Sequence, residues 1–173
     1  MSNIKKIAST SLSDTLAKAL NDQMNFEFYS SHVYLAMASY CESQDYSGFA
    51  KFFMKQSDEE REHALKIYKY LQDRGQQAII TGFESPGNQF ASVLDVFQKA
   101  LEHEKVVTSR IYSLSDLAGS EKDYTTSSFL DWFLQEQVEE TSQFETVVQK
   151  LRRITDDEGA IFVYDMHMNG EEA

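Results

Sequence analysis

Apolar residues recur every three or four positions along most of this chain, the spacing that lines one face of an α-helix. Where that spacing holds and breaks, it predicts a first helix over residues 13–41, a second over 47–74, a third over 92–118, a fourth over 124–155 and a short fifth over 160–168. Boundary signals flank the stripes. Ser11 with Asp14, and Ser92 with Asp95, have the spacing of N-terminal capping pairs. Gly75 and Gly119 are placed to stop the second and third helices. The single proline, Pro86, falls in the long connection over 76–91, where it breaks no helix. Residues 1–12, rich in Ser, Thr and Lys, read as an N-terminal arm, and 13–173 as one domain.

The connections set the topology. Those between the first two and the last two long helices are short, which predicts antiparallel hairpins. The middle connection is long enough to run back along the bundle. The expected fold is all-α: a four-helix bundle with one long crossover, plus a short fifth C-terminal helix.

The inward stripes carry the chemistry. The first reads Leu16, Leu20, Met24, Glu27, Ser31, Tyr34, Ala38, Cys41, and the second Phe49, Phe53, Gln56, Glu60, His63, Ile67, Leu71. The third reads Leu94, Phe97, Leu101, Glu104, Thr108, Ile111. The fourth reads Leu130, Phe133, Gln137, Glu140, Phe144, Val147, Leu151, Ile154. Each is apolar at its ends and acidic near its middle. One such Glu is ordinarily a solvated side chain at a stripe edge. Four at one height predict that Glu27, Glu60, Glu104 and Glu140 converge, with His63 beside Glu60 on one helix face. A buried ion costs an effective several kcal/mol, so four unpaired carboxylates rival the roughly 5–15 kcal/mol stability of a whole domain. Protonation offsets part of this, and two divalent cations would offset more. Oxygen ligands with one imidazole suit hard to intermediate cations.

Composition narrows the classes. The net charge of −12 disfavours nucleic acid and anionic membranes as partners and favours cations. One cysteine, Cys41, excludes an intrachain disulfide framework, a thiolate-rich metal site and a four-cysteine iron centre. Residues 1–20 lack a signal-type apolar stretch, and no run of about 18 apolar residues spans a membrane, so a cytoplasmic location is expected.

The segments from Leu20 through Glu27 to Tyr34, Glu59-Glu60-Arg61-Glu62-His63, His103-Glu104 and Glu136-Gln137-Val138-Glu139-Glu140 together resemble non-haem ferritins, most closely the bacterial type, from about Leu12 onward. The resemblance implies an iron-storing ferroxidase. Glu27, Glu60 and His63 would bind one iron, and Glu60, Glu104 and Glu140 the second, with Glu60 bridging. Gln137 would lie beside the pair, and Tyr34 would donate an electron during oxygen reduction. Glu59, Glu136 and Glu139 resemble a third iron site. The implied partners are Fe(II), with O2 or H2O2 as oxidant, and copies of the same chain in a homo-oligomeric shell of 24. Gln137-x-x-Glu140 stands where bacterioferritins carry a second E-x-x-H, and Arg61 where they carry a haem-binding methionine, so no haem is expected. Glu121, Asp123 and Asp131, near the start of the fourth helix, are candidates to line a cation pore between subunits. A DNA-protecting cage and a cytokine-type bundle fit less well. The first meets the acidity, and the second gives no reason for four mid-stripe acids.

Overall fold

In a computed structural model, which describes residues 11–170, five α-helices form and no strand does. They are α1 (Asp14–Ser43), α2 (Ser47–Asp73), α3 (Val93–Glu121), α4 (Tyr124–Ile154) and α5 (Glu158–Gly170). The predicted arm lies outside the described residues up to position 10. Leu12, at its end, is already buried in the core.

The boundaries confirm some signals and move others. Ser92 caps α3, accepting from the Asp95 amide at 3.1 Å, while Asp95 accepts from the Ala91 amide at 2.9 Å. Ser13, not Ser11, caps α1, through a 3.0 Å bond from the Leu16 amide. Gly75 ends α2 at φ +76°, its amide and that of Gln76 turning back to Gln72 and Leu71. Gly119 does not end α3. The helix runs two residues further, and Lys122 takes the left-handed conformation (φ 58°) that lets the Asp123 amide close on Ala118. Asp45 (φ 62°) does the same after α1.

The crossover from α2 to α3 is clamped by two asparagines of α1. Asn21 accepts from the Ile79 amide at 2.7 Å. Asn25 donates to the Ile79 carbonyl at 2.8 Å and accepts from the Thr81 amide at 2.9 Å. An extended strap on a helix needs such partners, because it makes few ladder bonds of its own.

At the other end, α5 completes α2. Tyr46, the N-cap of α2, makes no side-chain capping bond. Asp165, buried on α5, supplies the acceptor, taking the Phe49 amide at 2.7 Å. Gly48 makes this approach possible, since a Cβ there would sit 1.9 Å from the Asp165 carbonyl oxygen. Gly48→Ala is therefore expected to push α5 off the bundle and to destabilise the subunit by about 1–3 kcal/mol, the usual range for overpacking. A lowered melting temperature together with faster proteolysis within α5 would show it. An unchanged melting temperature would mean that the contact is not held.

The core falls into two apolar clusters. One contains Tyr34, Met37, Phe49, Phe53, Val96, Phe97, Phe144 and Leu151. The other contains Leu16, Leu20, Met24, Ile67, Leu71, Ile111, Leu130 and Phe133. On every long helix the acidic mid-stripe residue lies between the two. Between the two clusters, at a single height, polar groups interrupt the core.

Candidate metal centre

Four helices meet at that interruption. Glu27 of α1, Glu60 and His63 of α2, Glu104 of α3, and Gln137 and Glu140 of α4 are all buried. Helical spacing puts Glu60 and His63 on one face of α2, and Gln137 and Glu140 on one face of α4. Glu27, Glu60 and His63 offer ligand atoms within 4.8 Å of one another, and so do Glu60, Glu104 and Glu140. Glu60 belongs to both groups.

The hydrogen bonding is incomplete in an informative way. Both oxygens of Glu104 are occupied: the Tyr34 hydroxyl donates to Oε1, and the Gln137 amide donates to Oε2 at 3.0 Å. Gln137 also donates to Thr108 Oγ1 at 3.2 Å. Glu27 Oε1 accepts from the Gln23 amide at 2.8 Å. By contrast, Glu27 Oε2, Glu60 Oε2 and Glu140 Oε2 are buried and accept from no donor of the surrounding side chains; Glu27 and Glu60 lie close enough to share a proton between their carboxyls in the metal-free state. His63 stands 3.6 Å from Glu60 and 4.0 Å from Glu140, too far for a hydrogen bond to either. Buried carboxylate oxygens left without such a donor are strongly disfavoured, and convergent lone pairs with a neutral imidazole are what a cation needs.

Electrostatics follow from burial. Removal from water pushes Glu27 up to about 7, against the opposing pull of the Gln23 amide. Burial raises Glu60 well above its usual range, and the charges of Glu27, Glu104 and Glu140 add to it. Glu140 is pushed up to about 10 by burial and then by Glu104 and Glu27. Burial also raises Glu104, although its bonds from Tyr34 and Gln137 oppose the shift. His63 is pushed down to about 4 by burial and by the charge of Lys66, so at neutral pH it offers a free lone pair. Its ring meets Trp132 edge-on at 5.3 Å, and Lys66 lies over the Trp132 ring at 3.8 Å.

Tyr34 joins the centre to the aromatic cluster. It is fully buried, with Phe144 nearly parallel at 5.7 Å and His103 edge-on at 5.8 Å. Burial and the Glu104 charge raise its phenol well above 10, so it stays protonated.

The three acids read as a further site divide. Glu136 groups with His63 and Glu140 rather than with its expected companions. Among the described residues Glu59 and Glu139 join no such group of three, though their charges, after burial, help raise Glu136. Asp123, a candidate pore acid, is committed elsewhere. It caps α4 through the Thr126 amide at 3.0 Å and pairs with Arg74 at 2.7 Å in a largely buried bridge. Ser31 is only half-buried, and Ser30 and Gln23 take its place inside α1. Gln23 and its partner Arg110 were invisible to the stripe pattern, because a long polar side chain four residues before Glu27 reads as surface. Cys41 is buried at the aromatic end with its thiol pushed up to about 12, unreactive and outside the centre.

Comparison with known proteins agrees with the fold. Residues 17–154 match the family model described as a ferritin-like domain. The chain is 48% identical over 157 residues to the bacterial non-heme ferritin of Staphylococcus saprophyticus, covering 91% of this chain and 94% of that protein. It is 49% identical over 157 residues to the bacterial non-heme ferritin of Staphylococcus aureus, covering 91% and 95%. Among solved structures, the open-pore ferritin of the archaeon Archaeoglobus fulgidus superposes with a TM-score of 0.91 at 38% identity, covering 93% of this chain and 99% of that one.

Proposed function

The chain belongs to the ferritin family of iron-storage proteins, and on that premise we propose that its mid-bundle centre is a ferroxidase site that oxidises Fe(II) for storage as ferric mineral. The observation that carries this reading is the trio of buried oxygens on Glu27, Glu60 and Glu140 that lack a donor from the surrounding side chains, facing a neutral His63. Glu27, Glu60 and His63 bind one Fe(II); Glu60, Glu104 and Glu140 bind the other. A third iron binds at Glu59, Glu136 and Glu139, a position supported by the closeness of their charges: burial raises Glu136, and Glu139 and Glu59 add to it.

Each substrate ion gives up one electron. With dioxygen as oxidant, two electrons and two protons leave as hydrogen peroxide. With peroxide as oxidant, two electrons and two protons give two waters. The chain's part is to hold both ions at one height in a dry pocket, so that the oxidant receives its electrons as a pair. Gln137 steadies Glu104 with a donated bond. Where dioxygen is carried on to two waters, four electrons and four protons are consumed. Three electrons come from Fe(II), counting the third iron, and the fourth from Tyr34, which is bonded to Glu104, passes its proton to that carboxylate and is reduced again by a later Fe(II). Protons released as the carboxylates bind metal leave with the solvent.

Storage requires an enclosed volume, and the assembly is a hollow shell of 24 copies of this chain, without haem. Exposed apolar side chains support association. Ile79, Ile80 and Phe83 on the crossover, and Phe162, Val163 and Met166 on α5, are at least 42% exposed in the single chain.

The test is the iron retained per subunit after aerobic Fe(II) addition and desalting. Retention far above the few ions that the centre holds is expected. Retention of only those few would make the protein a di-iron redox enzyme without storage, and none would remove the centre altogether.

A further inference from the structure

Glu27 is held from behind by a relay that ends at the protein surface. Gln23, 1% exposed, lies one turn before Glu27 on α1 and donates its amide to Glu27 Oε1 at 2.8 Å. The amide oxygen of Gln23 in turn accepts from Arg110 Nε of α3, also at 2.8 Å. Arg110 is fixed at two further points. Its Nη2 donates to the Asp22 carbonyl at 3.1 Å, and its guanidinium lies 4.1 Å from the centre of the Phe26 ring. Phe26 is backed by His103 at 5.4 Å in a nearly parallel stack.

This arrangement decides which way the Gln23 amide points. A buried Gln has a donor end and an acceptor end, and each needs a partner. With Arg110 occupying the oxygen, the amide nitrogen must face Glu27. Glu27 Oε1 is thereby held on the α1 side, and Oε2 is left for the centre.

We propose that Arg110, acting through Gln23, is a positioning residue that orients the Glu27 carboxylate and so sets the affinity of the Glu27–Glu60–His63 position for a divalent cation. The proposal rests on the metal-site reading above. Partners behind a metal ligand typically change metal affinity by about 10–100-fold. Arg, with its fork of donors, can hold Gln23 and the Asp22 carbonyl at once, whereas Lys offers a single point charge.

The experiment is a calorimetric and visible-absorption titration of the assembled, metal-free protein with Co(II) at fixed pH. It compares wild type with Arg110→Met, Gln23→Leu, the double variant, Arg110→Lys and Glu60→Ala. Each single relay variant is expected to weaken the first Co(II) equivalent about tenfold and to alter its absorption band. The double variant is expected to lose no more than the larger single effect, because both changes break one chain of bonds. Arg110→Lys is expected to fall between wild type and Arg110→Met. Relay effects that multiply in the double variant, or an Arg110→Met affinity equal to wild type while Glu60→Ala abolishes binding, would overturn the relay alone. Unaltered Co(II) binding in Glu60→Ala would overturn the metal-site reading and the relay with it.

Discussion

Glu60→Ala is expected to lower the initial rate of Fe(II) oxidation by about a hundredfold or more, and by more than the loss of any other carboxylate of the centre. The reason is topological. Glu60 offers an oxygen to both the Glu27–Glu60–His63 and the Glu60–Glu104–Glu140 group, whereas Glu27 belongs only to the first and Glu104 only to the second. Removing Glu60 takes a ligand from both positions. Stopped-flow absorbance of the ferric product, at two Fe(II) per subunit, measures the effect. Glu27→Ala is the control, since it leaves the Glu60–Glu104–Glu140 group intact. A fall no larger for Glu60→Ala than for Glu27→Ala would mean that Glu60 does not serve both ions.

Glu140→Gln is expected to impair iron oxidation and yet raise the melting temperature of the metal-free protein. A carboxyl raised to about 10 is protonated in the folded metal-free state at neutral pH but ionised in the unfolded chain, so folding must take up a proton there. Gln needs none, which stabilises by about 1–4 kcal/mol, or several degrees for a subunit of this size. The pH dependence supplies a second signature. Glu27 and Glu140 are raised from the usual 4.5 to about 7 and about 10. Between 4.5 and those values the folded metal-free state keeps protons that the unfolded chain has released. Stability from these groups is therefore fully present below about 4.5 and is lost as pH rises through 7 and then towards 10. Scanning calorimetry of the metal-free protein should show this contribution falling between pH 6 and 9 in wild type, and falling less in Glu140→Gln. Bound cations invert the dependence, because they require the ionised carboxylates. A lower melting temperature in Glu140→Gln would show that Glu140 makes a favourable contact rather than a strained one.

Much of this was legible in the sequence, because the physics was periodic. A helix buries residues at 3.6 spacing, so the five elements, the long crossover and the shared height of Glu27, Glu60, Glu104 and Glu140 follow from counting along the chain. What escaped lies off the stripes or depends on the backbone alone. Lys122 and Asp45 adopt the left-handed turn without being glycine, and no residue type announced either stop, while Gly119 suggested one that is absent. Ser11 and Ser13 flank Leu12, and the cap falls to Ser13, whose hydroxyl takes the Leu16 amide while Leu12 is buried. Gln23, Arg110 and Asp165 act by partnership across the fold. A partnership between distant positions leaves no period in a single sequence.

The bond between Asp165 and the Phe49 amide spans 116 positions of sequence. A chain emerging from the ribosome makes α2 early and α5 last. Through most of synthesis the first turn of α2 therefore waits without its acceptor, and the apolar surface beneath α5 waits with it. The order in which the chain is written and the order in which it becomes complete are opposed at this one corner. The bundle can collapse from its hairpins, but the second helix is finished only when the last one arrives, which makes the C-terminal segment a seal on the folded subunit rather than an appendage to it.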